Sequence, residues 1–137
     1  MPSAAAEPTE VCPGCGAVLV RIGEAAPRPG ATTSCARLFE VTLRGPREEP
    51  DAASAAVVRL ADAAYDAQHP VSGDPDRLRG ALAVLGAGAA GTHSPSVWRT
   101  TIADVAADLD VIDLAVLVEA WAVAVAQDWT AVSATRE

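Results

Sequence analysis

The chain has 137 residues, which is enough for one domain with a hydrophobic core. Half of the residues are hydrophobic but only 4% are aromatic, a composition typical of alanine-rich helices that pack closely. The formal net charge is −8, all ten basic residues are arginine, and acidic residues flank the most closely spaced arginine pairs. Phosphate binding needs clustered positive charge, so nucleic acid is excluded as a partner.

Targeting and membrane segments are not expected. Residues 1–10 contain neither a basic n-region nor an apolar h-region, so they do not resemble a secretory signal. The longest apolar run, Leu114 to Ala126, contains Glu119 and is shorter than the roughly 18 residues that a membrane span requires. An odd number of cysteines argues against a disulfide framework. We therefore expect a soluble, cytoplasmic protein that binds no membrane.

The chain is predicted to begin with a flexible tail over residues 1–10. Residues 11–33 are predicted to form a head and a loop, and residues 34–133 a helical bundle that makes one domain together with the head. Within the head, residues 17–22 (Ala-Val-Leu-Val-Arg-Ile) are predicted as a short strand or an extended arm, and residues 23–30, rich in proline and glycine, as a loop.

The head contains the most informative motif of the chain, Cys12-Pro13-Gly14-Cys15-Gly16. Pro13 presets one turn dihedral and Gly14 is expected to adopt the positive φ that follows, so the two thiols lie close together. Gly16 leaves room for backbone N–H groups to turn towards the sulfurs. Two such thiolates form one edge of a tetrahedral zinc site. We favour this zinc knuckle over an incidental pair of buried thiols, and over a redox pair because no βαβ pattern surrounds it.

About five helices are predicted after the head. The first runs from about Ser34 to Arg44 and is followed by a break over residues 45–50. The second begins at Asp51 or Ser54 and ends at Gln68, because Pro70 disfavours helical geometry at the residue before it.

The remaining three helices complete a small, mainly α bundle. A helix is predicted to begin at Asp74-Pro75 and to end at the glycines at 86, 88 and 91. The pattern Gly86-x-Gly88-x-x-Gly91 is interpreted as a loop and not as a nucleotide-binding fingerprint. A short helix from Thr101 is expected to bury Ile102, Val105 and Leu109. The last helix, from about Asp113 to Val132, is apolar nearly all round, which places it centrally in the bundle or at a subunit interface.

Two further residues are candidates to complete the metal site. Cys35 is predicted in the first turn of a helix, where the helix dipole favours a thiolate, although a buried core cysteine is the alternative. His69 is the favoured fourth ligand because it ends a helix and its ring can turn inward; the alternative is a bond to a backbone carbonyl. His93 lies in a stretch rich in glycine, serine and proline and is interpreted as solvated.

Tyr65 and Asp66 precede His69 by four and three residues, so a helix puts all three on one side. Second-shell carboxylates often orient metal-bound histidines, and Asp66 is a candidate for that role. The alternative is that Asp62 and Asp66 form a solvated acidic face. The three tryptophans are interpreted as core residues.

Four pieces of the sequence together resemble a family of small bacterial proteins catalogued as a domain of unknown function and common in actinobacteria. They are the Cys-Pro-Gly-Cys-Gly motif, Ser34-Cys35 with Phe39, Tyr65-x-x-Gln68-His69-Pro70, and Trp121-Ala122. The resemblance extends from Cys12 to Trp129, and its specific part is the Gln-His-Pro motif. It implies that Cys12, Cys15, Cys35 and His69 form one site, and it implies no established activity. The further histidines of family members are absent here from residues 78–82 and 127–129.

Two functions are compatible with these residues. In the first, three cysteines and His69 close a zinc site that ties the head to the bundle. The protein is then an accessory or interaction protein that binds a small molecule or a protein partner, or that forms a homodimer through the last helix. In the second, His69 stays off the zinc and acts with Tyr65 and Asp66 in acid–base catalysis. That enzyme would be a lyase, hydrolase or cyclase acting on a small metabolite, in a setting such as secondary metabolism.

Overall fold

The computed structural model describes residues 8–22, 28–71, 73–87 and 94–135. These residues form two strands, β1 (Thr9–Val11) and β2 (Val18–Val20), and six helices: α1 (Thr33–Thr42), α2 (Arg44–Glu48), α3 (Ala52–Gln68), α4 (Pro75–Leu85), α5 (Ile102–Ala107) and α6 (Leu114–Thr135). The predicted mainly α bundle is therefore confirmed. His93, Gly88, Gly91 and residues 1–7 of the predicted tail lie outside the described residues.

The head is a small antiparallel hairpin. β1 pairs with β2 so that Thr9 lies opposite Val20 and Val11 opposite Val18, and the Cys-Pro-Gly-Cys-Gly motif lies in the connection between them. The strand predicted within residues 17–22 is confirmed over Val18–Val20. Its partner β1 includes Thr9 and Glu10, which the sequence had suggested to be part of a loose tail; three residues are too few for a periodic signal.

The helices around the head begin at clear side-chain caps. Thr32 accepts a hydrogen bond from the backbone N–H of Cys35 at the start of α1, and Asp51 accepts one from that of Ser54 at the start of α3. α3 ends at Gln68 as predicted, with His69 as its C-cap. The break expected over residues 45–50 is wrong in part, because Arg44–Glu48 forms the short helix α2 after α1 ends at Thr42.

α4 and α5 also begin where their sequences indicate. Asp74 caps α4, and Gly86 ends it in the left-handed conformation with a φ of 71°. Thr101 and Asp104 form a reciprocal capping box at the start of α5. The predicted burial of Leu109 is wrong, because α5 ends at Ala107 and Leu109 is 37% exposed. The chain turns after α5, where the N–H groups of residues 111 and 112 donate to the carbonyl of residue 108.

α6 packs along α3 and supplies much of the core. Its inward face is completely or almost completely buried and consists of Val118, Trp121, Val125 and Trp129. Within the described residues, the stretch Leu114–Val132 of α6 has the length and composition needed to cross a bilayer. This apolar stretch is longer than the run Leu114 to Ala126 on which the sequence argument relied. Of this stretch, 33% is buried inside the bundle, and a single such helix is weak evidence for a membrane span.

Candidate metal centre

Four side chains from three parts of the fold meet in one buried cluster. Cys12 and Cys15 come from the β1–β2 connection, Cys35 from the first turn of α1, and His69 from the end of α3. Their sulfur and ring-nitrogen atoms all lie within 4.8 Å of one another, and no side chain of the four is more than 4% exposed. The cluster can therefore hold a metal ion, and it unites the four residues that the sequence singled out.

The connection between the strands is a tight turn held by its own backbone. The N–H of Cys12 donates to the carbonyl of Ala17 at 2.9 Å, and the N–H of Gly16 donates to the carbonyl of Cys12 at 2.8 Å. The N–H of Gly16 therefore bonds to a carbonyl. The positive φ expected at Gly14 lies instead at Gly16, with a value of 81°.

Gly14 is needed for space. A Cβ built on it would lie 2.4 Å from Cδ2 of His69 and 2.8 Å from the carbonyl oxygen of Gln68. Gly30 approaches from another side, where its own Cβ would lie 2.9 Å from the carbonyl oxygen of His69. The head and the loop before α1 thus lie directly against the end of α3, and this contact brings the imidazole to the thiols.

Two distances in the cluster match the edges of a tetrahedral metal site. The sulfurs of Cys15 and Cys35 are 3.8 Å apart, and the Cys35 sulfur is 3.6 Å from Nε2 of His69. Zinc bonds of about 2.3 Å to sulfur and about 2.0–2.1 Å to nitrogen at tetrahedral angles give edges of about 3.8 Å and 3.6 Å. Two edges of the cluster therefore match the edges of a tetrahedron formed by three cysteines and one histidine around zinc.

Tyr65 fixes the orientation of the His69 ring through its backbone. Nδ1 of His69 lies 2.6 Å from the carbonyl oxygen of Tyr65, and because a carbonyl can only accept, Nδ1 carries the proton. The neutral ring then has its lone pair on Nε2, which faces the sulfurs. Asp66 does not take the orienting role proposed above, because its carboxylate bonds to Arg77 at 2.9 Å and lies 3.9 Å from Arg28.

Cys12, Cys35 and His69 differ in how strongly they hold protons. Hydrogen bonds from Cys15 and Cys35 hold the pKa of the Cys12 thiol far below its usual range, and interactions with Cys12 and Cys15 raise the pKa of Cys35. Burial lowers the pKa of His69, but its hydrogen bonds to Cys12 and Cys15 outweigh burial and raise that pKa to about 9. The cluster thus combines thiolate and imidazolium character, and a divalent cation would replace the protons that keep it neutral.

The hydroxyl of Tyr65 donates a hydrogen bond to the Cys35 sulfur at 3.2 Å. Burial, and then this contact, raise the pKa of the phenol above its usual value, so the group stays protonated and remains a donor. The sequence indicated that Tyr65 lies on the side of the helix that carries His69. It did not indicate that the hydroxyl reaches Cys35, which is 30 residues away in the chain.

Three tryptophans and a glutamine make hydrogen bonds to the segments that carry the cluster residues. The indole N–H groups of Trp98, Trp121 and Trp129 donate to the Gly14 carbonyl, the Gln68 side chain and the Ala67 carbonyl, respectively. Gln68 in turn donates to the carbonyl of residue 100 at 2.7 Å. The sequence predicted these tryptophans as core residues. Trp98 is in fact half-buried, and the polar partners of the three indoles could not be read from helical spacing.

Comparison with known proteins gives one match. The model of a family of unknown function, DUF5946, matches residues 10–91, which include the four cluster residues and Tyr65. No curated protein and no solved structure matches the chain.

Proposed function

The chain belongs to DUF5946, a family of unknown function, and from its own residues we propose that it is a small zinc protein with a closed Cys3His site. The observation that carries this proposal is the meeting of all four donor atoms within 4.8 Å. Thiolates and imidazole together are the ligands typical of structural zinc sites.

The burial of the cluster supports a structural role for the ion. A catalytic zinc keeps one position open for water or substrate, whereas a structural zinc has four protein ligands. Here four protein donors are present and all are buried. An ion bound to them would have its coordination filled by the chain itself.

The ion would join parts of the chain that are far apart in sequence. Cys15 and Cys35 are separated by 20 residues, and Cys35 and His69 by 34. A bond from each to one ion closes two loops and constrains the unfolded chain, so binding and folding should be linked. The head contributes only a hairpin of two three-residue strands, and a two-stranded hairpin has little stability alone. Zinc would hold it on the bundle.

The contacts around His69 do not favour the enzyme hypothesis. The Tyr65 hydroxyl is directed at Cys35, and Asp66 is paired with arginines, so neither side chain forms an acid–base pair with the imidazole. A groove of about 800 Å³ between α3 and α4 is large enough for a metabolite. Asp66 lines that groove but none of the four cluster residues does, so a metabolite bound there would not touch the metal.

For the accessory or interaction role, we propose that α6 pairs with α6 of a second copy. Val116 and Val123, seven residues apart on one side of α6, are both 55% exposed. The stretch Leu114–Val132 has two charged residues, Glu119 and Asp128, and Asp128 is paired with Arg99 at 2.8 Å. Few charges of a chain whose net charge is −8 therefore lie along this helix.

Metal analysis of the purified protein tests the zinc proposal. We expect about one zinc per chain, and a loss of metal together with stability in Cys12→Ser and in His69→Ala, because each removes one ligand and one loop constraint. His93→Ala, which changes the only other histidine of the chain, is the matched control and should keep its zinc. Full zinc occupancy and an unshifted melting curve in His69→Ala would contradict the closed site and favour the enzyme hypothesis.

Sedimentation analysis tests the pairing through α6. The zinc-loaded protein should sediment as a dimer, and the double variant Val116→Glu/Val123→Glu should be a monomer because it buries like charges in the interface. Val111→Glu is the control, since Val111 is 81% exposed and lies outside α6. A wild-type protein that remains monomeric at all concentrations tested would rule the pairing out.

A further inference from the structure

We propose that Tyr65 is a positioning residue of the metal centre, which controls two of its ligands from one place in the chain. Its side chain supplies a hydrogen bond to the Cys35 sulfur, and its backbone carbonyl holds the imidazole of His69. This inference rests on the proposed zinc site and goes beyond it by naming the residue that tunes the ligands.

The aromatic ring of Tyr65 is fixed on both faces. Phe39 stacks on one face with ring centroids 4.1 Å apart and an interplanar angle of 13°, and the imidazole of His69 packs on the other at 4.0 Å. The guanidinium group of Arg28 covers the Phe39 ring at 4.7 Å. Tyr65 and Phe39 are fully buried, so the column leaves the hydroxyl one position, 3.2 Å from the Cys35 sulfur.

The carbonyl of Tyr65 is available because α3 ends there. In a continuing α-helix this carbonyl would accept the backbone N–H four residues later, which belongs to His69. That N–H bonds instead to the Asp66 carbonyl at 3.1 Å. The Tyr65 carbonyl is therefore one of the unpaired acceptors at a helix end, and the Nδ1–H of His69 satisfies it at 2.6 Å.

The hydroxyl explains why a phenylalanine would not serve at this position. Three thiolates around a divalent cation leave one excess negative charge in a buried site, and a hydrogen bond to sulfur withdraws part of it. Phenylalanine would keep the stack between Phe39 and His69 but would leave the Cys35 sulfur without this donor. The hydroxyl thus offsets part of the charge on the Cys35 sulfur, and its loss should speed the release of the metal.

The test is the variant Tyr65→Phe loaded with zinc and, as a spectroscopic probe, with cobalt(II). We expect zinc to remain bound at one per chain and to pass to a chelator about tenfold faster or more, as is usual when an outer-shell partner of a ligand is lost. The sulfur-to-cobalt charge-transfer band should move to lower energy, because the Cys35 thiolate becomes more electron-rich.

Leu82→Ala is the stability control, because Leu82 is buried in α4, which supplies no residue of the cluster or of the stack on Tyr65. It should lower the melting temperature and leave the energy of the charge-transfer band unchanged. A Tyr65→Phe protein with the wild-type release rate and band would overturn the inference while the zinc site stands. A wild-type protein that binds neither metal would instead contradict the proposed function.

A direct measurement covers the case in which Tyr65→Phe does not fold. Tyr65 is the only tyrosine of the chain, so the ultraviolet resonance Raman spectrum of the wild-type protein reports on one phenol. The intensity ratio of its Fermi doublet should show a phenol that donates a hydrogen bond in the zinc-loaded protein. A phenol that accepts one, or makes none, would overturn the inference.

Discussion

Gly14 illustrates how a single residue sets the geometry of the metal centre. The sequence suggested that it provides a positive φ for the turn, but its main feature is the closeness of His69, whose Cδ2 atom would lie 2.4 Å from an added Cβ. The carbonyl of Gly14 also accepts the indole N–H of Trp98 at 2.8 Å. Gly14 is therefore close to His69 and is also held by a hydrogen bond from Trp98.

Gly14→Ala should accordingly weaken zinc binding and lower the free energy of unfolding by about 1–3 kcal/mol, as overpacking of a close contact usually does. Gly80→Ala is the control: a Cβ at Gly80 meets nothing within 4 Å, and in the middle of α4 alanine should stabilise by about 0.5–1 kcal/mol. Chelator competition and urea unfolding measure both effects. Equal zinc affinity in Gly14→Ala and the wild type would show that the contact is not needed.

The protons of the ligands predict how zinc affinity depends on pH. Without metal, the pKa of His69 is raised to about 9 and that of Cys35 is raised as well, so both groups hold protons at neutral pH. Zinc must displace these protons, and therefore its apparent affinity should increase as the pH rises from 6 towards about 9.

Competition with a chelator of known proton affinity measures this dependence, and the number of protons released can be counted in buffers of different ionisation enthalpy. An apparent zinc affinity that stays constant over this pH range would mean that the ligands are already deprotonated in the metal-free protein.

At the scale of the elements, the segment after the family match supports the site through hydrogen bonds and packing. The match ends at residue 91, yet Trp98, Trp121 and Trp129 all lie beyond it and donate hydrogen bonds to the head or to the end of α3. α6 lies along α3 and buries the residues that precede His69. The end of α3 next to His69 is therefore held by α6, and the head is held by the segment before α5.

Trp121→Ala should lower the free energy of unfolding by about 3–5 kcal/mol, because a fully buried indole is removed from the centre of the core. The substitution also leaves the Oε1 of Gln68 without the donor that is now 3.1 Å away. Urea unfolding of the zinc-loaded protein gives the difference. A change near zero would place Trp121 outside the folded core.

At the scale of the whole molecule, local signals in the sequence were sufficient for most helices. Asp51, Asp74 and Thr101 each cap the helix predicted to begin beside them, because an N-cap acts within three residues. The family was identified from the order of its short motifs, and the match over residues 10–91 confirms it; the motif Trp121-Ala122 lies outside that match. The donor set followed from chemistry, because structural zinc sites use cysteine and histidine, and the chain has three cysteines and two histidines.

Features that depend on tertiary contacts were not predicted. β1 and α2 are too short to have a periodic pattern, and α2 forms after α1 where the sequence indicated a break. The preference for Asp66 as the orienting group failed because Arg77 and Arg28 compete for its carboxylate, whereas the Tyr65 carbonyl becomes available at the helix end. No local pattern shows which distant group satisfies such an atom.

The central claim is that Cys12, Cys15, Cys35 and His69 bind one zinc ion together, and X-ray absorption of the zinc-loaded protein tests it most directly. The account predicts a first shell of three sulfurs at about 2.3 Å and one nitrogen at about 2.0–2.1 Å, with the outer-shell scattering of an imidazole ring. His69→Ala should lose that imidazole signal. A first shell with fewer sulfurs, or with a water oxygen and no imidazole in the wild type, would contradict the account.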